Sequence, residues 1–184
     1  METVTNVSAG KPAAGGAVYR APLGTTLPTD ADTALDTTTW VSLGFCSDDG
    51  LTNSNSAESD TVKAWGGKDV LPLQTSKPDT FQLKLIEVLN PDVLKAVYGD
   101  DNVSGTLATG ISVAASTDEP VASAWVIDMV MRDDAVRRIT IANASITELG
   151  DIVYKDNEAT GYEITLTAMP DSTGKTHHEY TKRA

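Results

Sequence analysis

A chain of 184 residues and 19.4 kDa is long enough for one domain with a hydrophobic core and too short for two ordinary ones. Hydrophobic residues at 40% and charged residues at 22% argue against wholesale disorder. Asp and Glu number 26 against 14 Lys and Arg, a formal net charge of −12. That balance argues against tight nucleic-acid binding, which needs cations to displace condensed counterions.

The single cysteine, Cys46, cannot close an intramolecular disulfide, so stability must come from packing or assembly. No apolar stretch reaches the ~18 residues that would span a bilayer, and residues 1–6 show no basic segment leading into an apolar run. The expectation is a protein made in the cytoplasm with no membrane partner.

In chain order, residues 1–16 are rich in Gly, Ala, Ser and Pro and read as a flexible arm, ahead of one domain over 17–184. A short apolar patch, Ala17-Val18-Tyr19, leads into a loop of Thr, Asp, Ala and Pro over 25–39. Trp40 to Phe45 reads as a strand ended by the turn-forming run Ser47-Asp48-Asp49-Gly50. Leu51 to Ser56 reads as polar and turn-prone. Glu58–Trp65 and Val70–Thr75 flank Gly66-Gly67, a hairpin signature with glycine supplying positive φ, and Pro72 marks an edge or bulge in the returning arm. That hairpin is expected to project.

Thr80 to Leu85 alternates with period two, as a half-buried strand does. A short α-helix follows over about 91–98: Asn90 can cap it, Pro91 suits its first turn, Asp92 complements its dipole and Gly99 can stop it. Further strands are expected at Ile111–Ala115, Ala122–Met131, Val136–Ala142 and Tyr162–Ala168, with Arg132-Asp133-Asp134 as a hairpin tip. Ile146, Leu149 and Ile152–Tyr154 suggest one more, broken at Gly150. The fold class is mainly β, a β-sandwich or partly closed barrel with one short flanking helix.

Candidates for chemistry are sparse. Cys46 beside Phe45 reads as a small core residue rather than a nucleophile. The adjacent His177 and His178 point to opposite faces of an extended segment and read as exposed polar residues. The acidic pairs at 48–49, 100–101, 118–119 and 133–134 lie beside turns and lack the spacing of a calcium loop. Neither a phosphate loop nor a basic patch with interleaved aromatics occurs. No catalytic residue, metal or cofactor is expected.

Two groups suit contact between subunits. The hairpin arms carry Val62, Trp65, Val70 and Leu71, more apolar surface than an isolated hairpin should expose, so a neighbouring subunit is expected to cover them with Trp65 as an anchor, against Trp65 lying in its own domain's core. Arg137 and Arg138, with Arg132, form the densest cationic group and are candidates for ion pairs between subunits, against a solvated strand face.

The run Val18-Tyr19-Arg20-Ala21-Pro22-Leu23-Gly24-Thr25-Thr26-Leu27-Pro28 resembles the start of a family of tail tube proteins from long-tailed phages of Gram-positive bacteria. So, in the same order, do residues 43–52, 62–67, 89–99 and 150–154. The resemblance implies subunits in hexameric rings, stacked into the virion tail tube with a projecting loop or hairpin linking successive rings. It implies self-association, contact with other tail proteins (tape measure, tail terminator, distal tail), and DNA passing through the lumen without specific binding. It implies no active site. The alternative from another class is a β-sandwich module binding carbohydrate on a virion or cell surface, for which Trp40, Trp65 and Trp125 are the available aromatic platforms.

Overall fold

The computed structural model describes residues 6–13 and 16–183. Among the described residues, thirteen strands and one α-helix follow in chain order. The strands are β1 (Lys11–Pro12), β2 (Val18–Pro22), β3 (Val41–Ser42), β4 (Cys46–Ser54), β5 (Glu58–Lys63), β6 (Asp69–Ser76) and β7 (Asp79–Leu85). After α1 (Pro91–Tyr98) come β8 (Val103–Thr106), β9 (Gly110–Val113), β10 (Ser123–Val130), β11 (Val136–Leu149), β12 (Tyr162–Ala168) and β13 (His178–Lys182). The mainly β class with one short helix is as expected.

Nine strands form one antiparallel sheet in the order β3-β2-β10-β11-β12-β7-β4, with β1 extending the line of β2 along β10 and β13 extending the line of β12 along β11. Its centre is the β10–β11 hairpin, in which Trp125 pairs with Ile141 and Ile127 with Ile139. Asp133 and Asp134, at φ 58° and 56°, make the turn, a left-handed conformation that Asp tolerates better than most residues.

Alternation along these strands loads both faces. Trp125, Ile127, Ile139, Ile141, Phe81, Leu83, Ile164 and Leu166 join the larger core. The intervening Ala124 and Val126 join Ala21 and Trp40 on the reverse face. The loop over 25–39 lies across that second face, where Leu27 and Leu35 pack. The side chain of Arg138 is buried beneath it. Its guanidinium grips the Asp128 carboxylate at 2.7 and 2.8 Å and donates to the Thr33 carbonyl at 2.8 Å.

Several elements differ from the sequence reading. β11 is a single 14-residue strand where separate strands were expected. Extra residues between Ile141 and Ala144, and again between Ile146 and Glu148, bend it. The bends keep Ile139, Ile141, Ala144 and Ile146 all facing the core. No strand forms at Ile152–Tyr154, because β11 ends at Leu149 and residues 150–161 lack a ladder partner. The run Ser47–Gly50 does not end a strand but lies within β4 as a wide bulge, between the pairs Cys46 with Leu85 and Leu51 with Leu83. β8 and β13 form where a loop and an exposed tail were expected.

The sheet curls without closing into a barrel. Its two ends, β3 and β4, are instead joined by the chain across Leu43-Gly44-Phe45. Leu43 N–H donates to Val18 O at 2.9 Å, and Phe45 O accepts from Ile86 N–H at 3.1 Å. Glycine suits this crossing: the φ of Gly44 is 71°, in the left-handed region, and a Cβ would have to displace the Glu87 carboxylate that accepts from Phe45 N–H at 2.9 Å. α1 is built as its residues dictate, with Asn90 Oδ1 accepting from Asp92 N–H at 3.0 Å and Gly99 N–H donating to Lys95 O at 2.9 Å. It buries Val93 and Leu94.

Of the segment expected to be a flexible arm, residues 1–5 and 14–15 lie outside the described residues. Lys11 and Pro12 pair with Val130 and Met129, and Arg132 N–H donates to Ser8 Oγ at 2.7 Å.

The Arg138 anchor yields a prediction. Asp128→Ala leaves a buried guanidinium without its carboxylate, so it should destabilise the subunit by about 3–5 kcal/mol, measured by urea unfolding. A loss below about 1 kcal/mol would show that the carbonyls of the 25–39 loop suffice.

Candidate functional site

β5 and β6 form a two-stranded ribbon of their own, outside the main sheet. Ala64 to Lys68 makes the turn, with Ala64 N–H donating to Lys68 O at 2.8 Å and Gly67 N–H to Ala64 O at 2.9 Å. Gly66 and Gly67 adopt φ of 101° and 85°, the left-handed region that glycine enters without steric cost. Val62 pairs with Leu71 and Asp60 with Leu73, so Val62, Leu71 and Leu73 share one face of the ribbon. All three are exposed, as is Val70, and Trp65 at the tip is fully exposed. An isolated ribbon is marginally stable in water, and this one presents an apolar face to solvent.

The other tryptophans are placed differently. Trp40 and Trp125 are buried, and Trp125 Nε1 donates to Ala144 O at 3.1 Å. Neither offers the exposed aromatic platform that a carbohydrate-binding face would use.

The arginines part ways. Arg137 pairs with Glu179 on β13. Arg138, grouped with it as a candidate for contact between subunits, is buried and committed to Asp128 and the 25–39 loop. Sequence spacing could not separate them, since neighbours on a strand face opposite ways and only the cover over one face decides which is buried.

His177 and His178 are not an exposed tail. Asp79, at the start of β7, is almost completely buried and collects Thr176 Oγ1, His177 Nδ1 and Asn53 Nδ2 at 2.5, 2.5 and 2.9 Å. The His177 ring also stands edge-on to Phe81, with centroids 5.2 Å apart. His178 Nε2 lies 3.4 Å from Asp171, whose carboxylate caps a turn through Thr173 and Lys175. These contacts seat β13 against residues 136–140 of β11, covering an edge that would otherwise template strand addition. Nothing in the sequence flagged Asp79, because Thr176 and His177 lie 97 and 98 residues away and Asn53 lies 26 away on another strand.

Cys46 is partly buried against the core. Burial, reinforced by the nearby charge of Glu87, pushes its thiol up to about 11, so at neutral pH it stays protonated and a poor nucleophile. Among the described residues, no three or more His, Cys, Asp or Glu converge to hold a metal ion. A predominantly apolar groove of about 480 Å³ lies between β2, β3 and α1, and no aromatic side chain lines it.

Comparison with known families gives the chain its place. The model of the family described as phage tail tube protein matches residues 5–182, nearly the whole chain. The chain belongs to the phage tail tube protein family. No curated protein matches it. A tail tube protein is a structural component of the virion tail that assembles with itself and with other tail proteins, and among the described residues of this one no helix is long and apolar enough to cross a membrane.

The seat of this tail tube protein's last strand should be acid-sensitive. Burial alone would raise the Asp79 carboxyl, but donors from Thr176, Asn53 and His177 outweigh it and hold it below its ordinary value of 3.8. The Lys175 amide and the Thr173 hydroxyl hold Asp171 well below the same value. Groups depressed on folding stabilise above their unfolded pKa and lose that contribution as pH falls through the folded one. Hydrogen exchange at residues 178–182 should therefore be unchanged from neutral pH down to about 5 and lose protection below about 3.8. Unchanged protection at pH 2 would show that the ladder to β11 holds the strand alone.

Proposed function

We propose that this tail tube protein assembles with itself into hexameric rings that stack into a tube, the conduit through which the viral genome reaches the host, without any catalytic step. The exposed apolar ribbon with Trp65 at its tip carries this reading. An exposed apolar face of this kind marks an interaction site, and the family membership says what kind of assembly it serves. Val62, Val70 and Leu71 act with Trp65 as contacts between subunits, while Arg137 and Glu179 lie at the rim of the β11–β13 edge. The sixfold symmetry comes from the resemblance to tail tubes of long-tailed phages, as do the tape measure, tail terminator and distal tail proteins as partners. Rings whose stacking does not close make an open filament, which needs complementary surfaces on opposite ends of one subunit. The charge of −12 per subunit suits a conduit to which DNA does not adhere. During assembly the subunits are in the host cytoplasm.

Negative-stain microscopy and light scattering of the purified protein test this reading. Rings or tubes should appear as concentration rises, and a strict monomer at high concentration across several salts would count against it. Trp65→Ala should abolish the tubes while leaving the monomer's stability within about 0.5 kcal/mol, since the side chain touches no core. A monomer that melts early would place Trp65 in the subunit's own packing instead.

A further inference from the structure

The apolar tip of the ribbon needs a receiving surface, and the groove between β2, β3 and α1 has matching chemistry. Leu43 forms its buried floor, while Leu23, Val41 and Val121 stand exposed at its margin. Scattered apolar side chains on a surface are ordinary, but here three surround one apolar concavity.

The charges at its mouth are paired, Arg20 with Asp100 at 2.8 Å and Lys95 with Asp92 at 3.8 Å. The pairs are unequally accessible: the Asp100 and Asp92 side chains are 58% and 45% exposed, against 15% for Arg20 and 38% for Lys95. Asp101 is exposed beside them. The outer rim is therefore weighted toward acid. The ribbon tip is weighted the other way, with Lys63 and Lys68 against Asp69 around Trp65. In the free subunit the groove is not filled by its own ribbon, because Trp65 is fully exposed.

We propose that this groove is the seat for the ribbon tip of a second copy of the chain, with Trp65 entering between Leu23, Val41 and Val121 and Lys68 meeting the acidic rim. The inference rests on the self-assembly reading and specifies which surface of one subunit receives the ribbon of the next. Each copy then carries both halves of a heterologous contact, apolar at its centre and charge-complementary at its edge, so the contact can repeat from copy to copy. A small-molecule ligand fits less well, since the groove offers no aromatic stacking surface and its polar groups are already paired.

Cross-linking tests the pairing while leaving Trp65 in place. Lys68→Cys and Val121→Cys alter exposed positions and should leave the subunit folded. The two proteins are mixed, assembled and treated with a flexible bismaleimide, with the unsubstituted chain, carrying Cys46 alone, setting the background. The expected product is a dimer joined between residues 68 and 121 by mass spectrometry, formed in assembled particles and not in dilute monomer. As a second variant, Val121→Asp should raise the concentration needed for assembly at least tenfold with the monomer's melting unchanged. Particles that form without the 68–121 product and that tolerate Val121→Asp would overturn the groove assignment and leave the tube reading intact. If the unsubstituted protein forms no particles under any condition, the tube reading falls and the groove assignment with it.

Discussion

The pairing of β10 with β11 is the interaction on which the rest of the subunit is built. Trp125, Ile127, Ile139 and Ile141 meet across it on one face, and four strands are added directly to its two outer edges, with β3, β7 and β4 building outward from those. β10 receives β2 and β1; β11 receives β12 and β13. Because the side-chain period along a strand is two, a slip of one residue here would turn every apolar side chain to the wrong face. With Ala124, Val126 and Arg138 on the reverse side, such a slip would also drive a guanidinium into the core. Register is thus specified from both faces at once.

Loading both faces has a consequence for assembly. A sheet covered on one side by its own curl and on the other by the 25–39 loop has little apolar area left to offer a neighbour. Other large apolar side chains stand exposed around the subunit, and two groups of them cluster: those of the β5–β6 ribbon and those at the margin of the groove between β2, β3 and α1. Edges are managed as well. β13 covers the first half of β11, and the chain crossing at Gly44 ties the two ends of the sheet together.

Much of this was legible from residue pattern alone. β7, β12, α1 and the ribbon each carry a local signal: strict alternation, a cap at Asn90 with a stop at Gly99, paired glycines at the turn. The excess of apolar residues around Gly66-Gly67 is also plain in the sequence, and the fold leaves them exposed. What escaped was non-local. The bulges in β11 and β4 interrupt the period and read as strand ends, because a bulge is recognised only by its partner across the ladder. The C-terminal strand lacks an apolar period, and it forms because Asp79, on β7, holds Thr176 and His177 in place. Arg137 and Arg138 are equivalent in sequence and opposite in fate. The groove, assembled from segments around residues 20–23, 41–43, 92–100 and 121–123, has no linear signature at all.

The central claim is that the ribbon tip, open to solvent in the free subunit, is covered by a second copy on assembly. Tryptophan fluorescence reads this without altering the chain. Trp40 and Trp125 are 4% and 1% exposed in the free subunit and Trp65 is fully exposed, so Trp65 dominates any change in solvent access. The account predicts a blue shift in emission and loss of quenching by a soluble quencher as particles form, both absent in Trp65→Phe at the same concentration. Particles that form with the emission and quenching of the dilute subunit would contradict it.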